Sequence, residues 1–181
     1  MHDVDYLLSV EGTTVSTFFA PEHGFRGDLA DGHKIGDHID EKSGIPVVSL
    51  YGQRKAPEDQ HLQNVDMMVF DIPDVGVRFY TYVWTMTHAM ESCAKNGKPF
   101  VVIDRPNPIN GVTVEGAVNT KDLGLIGRIG EGEEFGVATR HGLTAGELAT
   151  LWNEEHMNSK VDLKVIKAKN WNRDQWWDET G

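Results

Sequence analysis

The sequence predicts an α/β fold with a mainly parallel sheet flanked by helices, and three observations carry that expectation. Apolar runs at residues 15–20, 65–71 and 100–104 read as buried strands. Each run leads into a polar, turn-rich segment. Helix-period stretches lie between and after them, an alternation that favours parallel strands joined by helical crossovers. The 181 residues are enough for one domain with a real core. Acidic residues outnumber basic ones, 28 against 17, for a formal net charge of −11. Nucleic acid and anionic membrane are poor partners for such a chain, because both select a positive footprint. The one cysteine, Cys93, excludes an internal disulfide and a multi-thiolate metal site. No apolar run reaches the roughly eighteen residues of a membrane-spanning helix.

Taken in order, residues 4–9 read as the end of a helix that Gly12 closes. The strand at 15–20 is stopped by Pro21, and Glu22, His23, Gly24, Phe25, Arg26 and Gly27 follow at once. Residues 28–43 read as a solvated loop, in which Asp28, Asp31 and Gly32 miss the offsets of a calcium loop. A short apolar run at 46–51 precedes a polar turn at 52–59. The strand at 65–71 gives way to Asp74, Gly76, Arg78, Tyr80 and Tyr82. A helix is then expected as far as Asn96-Gly97, with Val83, Met86, Met90, Cys93 and Ala94 on its apolar face. Cys93 is therefore read as core. Beyond the third strand, Arg105-Pro106-Asn107-Pro108 is stiff and non-helical. The glycine-rich segment 124–136 contains no dinucleotide-binding fingerprint. Thr144 and Glu147 form a capping box for a helix ending near His156. Residues 162–167 alternate like a strand, and the tail 171–181 holds three of the five tryptophans. A tail so rich in exposed aromatic residues is expected to pack against something, so the chain reads as a piece of a larger protein.

Ligands of open α/β sheets bind where strands end. Should the three strands be neighbours, Glu22, His23, Arg26, Asp71, Asp74, Arg78, Asp104 and Arg105 gather at one edge, where Arg140 and His141 can join them. Asp71 and Asp104 are expected as loop anchors, with Arg105 paired to Asp104. Glu22 and Asp74 are expected further out, as candidates for chemistry. Two carboxyls facing one site suit glycoside hydrolysis. With His23 or His141 they also suit a divalent metal. Tyr80, Tyr82 and the tryptophan-rich tail suit the face of a sugar. The metalloprotease, P-loop and nucleophile-elbow motifs are absent.

Three blocks also carry a resemblance: Pro21-Glu22-His23-Gly24-Phe25-Arg26-Gly27, the run from Phe70 to Tyr82, and Asp104-Arg105-Pro106-Asn107-Pro108. Together with Glu115-Gly116, Arg140-His141-Gly142-Leu143-Thr144 and Gly146-Glu147-Leu148, in that order, they resemble the bacterial exo-β-N-acetylmuramidases of the NamZ type. The resemblance spans nearly the whole chain. It implies a Rossmann-like domain facing a smaller C-terminal domain across a cleft, and release of N-acetylmuramic acid from the non-reducing end of peptidoglycan fragments. The resemblance does not settle which carboxyl does what; Glu22, beside His23 in the most distinctive motif, is taken as the general acid, Asp74 as second carboxyl and Glu115 as reserve. His23, Arg26, Arg78, Tyr80, Tyr82, Asn107, Arg140 and His141 become substrate-binding candidates, with Arg140 favoured for the lactyl carboxylate. Neither a metal nor a cofactor is expected. The expected partners are peptidoglycan-derived disaccharides or muropeptides, in a periplasmic or secreted setting. By the same measure this chain, at residues 1–181, lacks an opening strand and the whole second domain, so self-association of an exposed tail is expected. The competing readings are a sugar-binding scaffold without activity and metal-dependent hydrolysis through Asp74, His23 and His141.

Overall fold

A computed structural model describes residues 3–22, 36–118 and 137–179. The expected histidine and arginine of the first motif, His23 and Arg26, lie outside them, as do Asp28, Asp31 and Gly32. The chain divides into two compact units, Met1–Val65 and Asp66–Gly181.

The first unit holds α1 (Asp3–Leu7), β1 (Phe18–Ala20), β2 (His38–Ile39), β3 (Pro46–Ser49) and α2 (Asp59–Leu62). β1 pairs with β3 in parallel, Phe18 opposite Val47, and β2 runs antiparallel to β3. Phe18, Ala20 and Val47 form its core, with Val4, Val15 and Ile45 packed against them. α2 falls where only a polar turn was expected. It has no apolar period to announce it and is held instead by a reciprocal cap between Glu58 and His61.

The second unit is built on β4 (Met68–Phe70), β5 (Phe100–Ile103) and β6 (Leu163–Ile166), hydrogen-bonded in that order and parallel throughout. Three of the four strand pairings among the described residues are therefore parallel, and the chain is α/β. The strand expected at 15–20 pairs within the first unit, so the three apolar runs do not share one hydrogen-bonded sheet. α3 (Tyr82–Lys95) follows β4, and α4 (Ala145–Glu155) precedes β6. Val83, Met86, Met90 and Cys93 of α3 are buried as the spacing requires, while Ala94 is only half-buried. Phe100 and Val102 fill the centre of β5, and the indoles of Trp84 and Trp152 meet edge to face at 6.5 Å, joining α3 to α4. α4 starts as expected: Thr144 accepts from the Glu147 N–H while the Glu147 carboxylate accepts from the Thr144 N–H.

The tail is not loose. Gly111 and Arg173 exchange hydrogen bonds, the Gly111 N–H to the Arg173 carbonyl at 2.6 Å and the Arg173 guanidinium to the Gly111 carbonyl at 2.7 Å. The same guanidinium also donates to the Gly142 carbonyl and pairs with Glu147, and the Trp177 N–H donates to the Pro108 carbonyl. Of its three tryptophans, Trp171 is half-buried while Trp176 and Trp177 remain exposed. Self-association through a free tail thus has no support, because the backbone that would have to be ordered is already bonded.

Candidate active site

Parallel pairing of β4 with β5, Phe70 opposite Val102, brings their carboxyl ends side by side. Asp71 and Arg105 leave those ends and meet there. The Arg105 guanidinium donates to Asp71 Oδ1 at 2.5 Å from Nη2 and 3.2 Å from Nε. Arg105 was expected to pair with its neighbour Asp104. That expectation is corrected, since successive residues of an extended segment face opposite ways. Asp104 turns to α4 instead. Its Oδ2 accepts from the Thr144 hydroxyl and its Oδ1 from the Gly146 N–H, both at 2.8 Å. A carboxylate in that place also suits the positive end of the helix dipole.

Asp74 was expected on the outer part of its loop and lies buried instead, with 5% of its surface exposed. The reason is Gly76. At φ +83° it bends the loop inward under residues 107–109, where a Cβ would sit 2.6 Å from Ile109 Cγ1 and nearer still to Asn107 Oδ1. Asp74 Oδ2 accepts from the Gly76 N–H at 2.8 Å and stands 3.2 Å from His141 Nε2. That second contact is close enough for charge attraction but out of line for a hydrogen bond. His141 Nδ1 accepts from the Leu143 N–H at 3.1 Å, so the proton of a neutral ring is on Nε2, facing Asp74.

Other candidates are drawn inward too. Arg78 donates to the carbonyls of Ala117 at 2.7 Å and Val137 at 2.5 Å and to the Thr139 hydroxyl, stapling three segments. Asn107, expected on the substrate, is 2% exposed. Its amide donates to the Leu143 carbonyl and accepts from the Ile109 N–H. His141, expected likewise, is buried. Both belong to the framework that holds the loops. Arg140 is likewise engaged: Nη1 meets Glu115 Oε2 at 2.8 Å and Nη2 donates to the Ile109 carbonyl. Its guanidinium carbon sits 5.0 Å from the centre of the Trp176 ring. A cation so committed is a poor choice for the lactyl carboxylate, which corrects the preference for Arg140.

Tyr80 and Tyr82 are half-buried and meet edge to face at 4.8 Å. Burial pushes the Tyr80 phenol above its ordinary range and the charge of Asp74 adds to this, with a hydrogen bond from Tyr82 opposing. Glu22 lies two residues past the end of β1 and is half-buried. The candidates thus separate by place. In the second unit the structure unites Asp71 with Arg105, Asp74 with His141, and Glu115 with Arg140. Glu22 stands at a strand end of the first. No three His, Cys, Asp or Glu side chains among the described residues converge as a metal would need.

Sequence reasoning missed Arg173, and read Trp176 only as part of a tryptophan-rich tail. The cluster of tryptophans was the available signal. It marked an apolar need without saying which distant side chains would meet it.

Residues 1–181 match the family described as "Exo-beta-N-acetylmuramidase NamZ, N-terminal". The chain belongs to that family. It is 44% identical over 177 residues to the peptidoglycan β-N-acetylmuramidase NamZ of Bacillus subtilis (strain 168), covering 98% of this chain and 41% of that protein. Two crystal structures of proteins of the DUF1343 family from Bacteroides fragilis share the fold. One has a TM-score of 0.87 at 36% identity, over 99% of this chain and 44% of that one. The other has a TM-score of 0.78 at 34% identity, over 97% and 44%. The chain therefore spans about two fifths of the length of the relatives it matches.

Proposed function

We propose that this chain carries the general acid of a glycoside hydrolase that releases N-acetylmuramic acid from the non-reducing end of peptidoglycan fragments. The observation that carries the proposal is 44% identity across nearly the whole chain to a protein named for that activity. Glu22 is assigned the acid. It follows β1 directly, at the kind of strand end where α/β sheets bind ligands, and it sits inside the most distinctive motif of the chain. Its role is to protonate the oxygen of the leaving sugar as the glycosidic bond breaks, while a second carboxyl acts as base or nucleophile. Asp74, half of a buried pair with His141, serves the reaction by holding its loop rather than by meeting the sugar.

Glu22→Gln in the protein at its natural length removes the proton and keeps the shape. Turnover of a chromogenic N-acetylmuramic acid glycoside should fall by about 10²–10⁴-fold, the usual worth of a positioned acid, with the melting temperature unchanged. Near-normal turnover by that variant would take the role away from Glu22.

A further inference from the structure

We infer that Asp37 is the second carboxyl of the reaction, the base that takes a proton from the attacking water while Glu22 acts on the leaving sugar. The inference rests on the role proposed for Glu22 and adds a partner from the same compact unit.

The sheet of the first unit has the order β1-β3-β2, with β3 parallel to β1 and antiparallel to β2. The carboxyl ends of β1 and β3 and the start of β2 therefore share one edge. Glu22 leaves that edge after β1, and Asp37 enters it directly before β2. Backbone groups of successive strand residues point to opposite sides. The Leu50 N–H donates to the Ala20 carbonyl at 2.8 Å, toward β1. Ser49 accordingly faces the β2 side, where Asp37 Oδ1 accepts from its N–H at 2.9 Å. The Arg54 guanidinium donates to that same oxygen at 2.8 Å and to the Ser49 carbonyl at 3.1 Å. Asp37 is thus held through one oxygen. Its side chain is 47% exposed, and Oδ2 has no partner among the described residues.

Other acids of this unit have different duties. Asp40 is buried beyond the far end of β2, where it accepts from the N–H and hydroxyl of Ser43. Glu58 caps α2, and Asp5 pairs with Lys42. The surroundings of Asp37 suit a group that must be ionised while its partner keeps a proton. The hydrogen bonds from Arg54 and then from Ser49 hold its carboxyl below the ordinary range; burial opposes them, and the charges of Arg54 and His61 add to them. Because β3 lies between them, β1 and β2 are two strand spacings apart, about 9.5 Å. Such a width leaves room for a water between two carboxyls, as in sites where they stand roughly 6.5–9.5 Å apart, rather than the roughly 5–5.5 Å of direct attack. In the step this implies, the water oxygen bonds to the anomeric carbon and a water proton passes to Asp37. The glycosidic bond breaks, and its oxygen leaves with the proton of Glu22.

The test uses the protein at its natural length and the disaccharide of N-acetylmuramic acid β-linked to N-acetylglucosamine. Asp37→Asn keeps an acceptor for Ser49 and loses the charge, so kcat should fall by about 10²–10⁴-fold with KM and melting temperature little changed. Sodium azide, a nucleophile that needs no base, should restore turnover of Asp37→Ala in proportion to its concentration and yield N-acetylmuramyl azide. Arg54→Gln removes the partner that favours the ionised carboxyl, so the acid limb of kcat/KM should move to higher pH. Turnover of Asp37→Asn close to the parent's would overturn the assignment. A loss that azide does not restore, with the acid limb unmoved in Arg54→Gln, would make the Asp37–Arg54 pair a brace only. Should Asp37→Ala fail to fold, the azide assay is run on Asp37→Ser. The two assignments fail separately. If Glu22→Gln loses turnover and Asp37→Asn keeps it, Asp37 alone falls. If Glu22→Gln keeps turnover, the role of Glu22 falls, and the azide product alone decides Asp37.

Discussion

Two groups of polar and aromatic residues stand at the carboxyl edge of the β4–β5–β6 sheet, and the fold uses them in opposite ways. Asp74, Asn107 and His141 are buried, and Arg78 and Asp104 are committed to backbone and hydroxyl partners. Glu115, Trp176 and Trp177 remain open to solvent. The first group follows from the loops themselves. Residues 71–81 and 104–118 contain no helix or named strand, so their backbone groups must find partners elsewhere. Side chains supply those partners. A concentration of acids and arginines at strand ends therefore signals irregular loops that need holding as readily as it signals chemistry. What remains exposed after the loops are held is the better guide to ligand contact.

Three changes probe the inward-facing half of that contrast. The largest effect is expected at Gly76, where alanine meets both a left-handed backbone and the side chains of Asn107 and Ile109. Gly76→Ala should cost about 3 kcal/mol or more in urea unfolding, the sum of strain and overpacking. A loss under about 1 kcal/mol would mean that the 74–76 turn is not pressed against residues 107–109. Next comes Asp104→Ala, which strips two acceptors from the start of α4. Hydrogen bonds to a charged group are worth about 1.5–3 kcal/mol each, so a loss of roughly 2–3 kcal/mol is expected once water replaces part of the deficit. An unchanged midpoint would show that Thr144 and Glu147 cap the helix unaided.

The last effect lies in the core beneath the loops and is silent at neutral pH. Burial pushes the Cys93 thiol up from 9.0 to about 12, with Lys98 opposing weakly. Above pH 9 the unfolded thiol ionises while the folded one keeps its proton, so the native state binds more protons and stability falls as pH rises. The contribution is intact below pH 9 and is lost progressively toward pH 12, at no more than about 1.4 kcal/mol per pH unit. Unfolding free energies of the parent and Cys93→Ala across this range should converge. Parallel curves would mean that the thiol reaches water.

How much was legible beforehand depends on how far apart the interacting residues are. Residues 144–147 were read as a cap, and the helix from Tyr82 was read to Asn96, because those contacts fall three or four positions apart and are written into local order. The apolar runs at 65–71 and 100–104 announced β4 and β5, although β4 is an edge strand that buries Met68 and Phe70 on one face and leaves Val69 exposed on the other. Local order also suggested Asp104 as the partner of Arg105, and there it misled. The choice of Asp71 was made by the register of β4 against β5. Asp74 carries the same carboxylate wherever it stands, and only the turn at Gly76 decided that it would face His141 in the interior.

The sequence by itself determined the α/β class, the family, the main helices and the strand ends at which charged residues would collect. Tertiary structure alone decided which of those charges face each other and which face water. Arg140 shows the reason. Its partners Glu115, Ile109 and Trp176 lie 25, 31 and 36 positions away. A guanidinium has several donors and a ring-facing plane, so it can satisfy many combinations of neighbours. Nothing in its own surroundings along the chain selects among them. The antiparallel pairing of 115 with 140, and the anchoring of the tail through Arg173, made that selection.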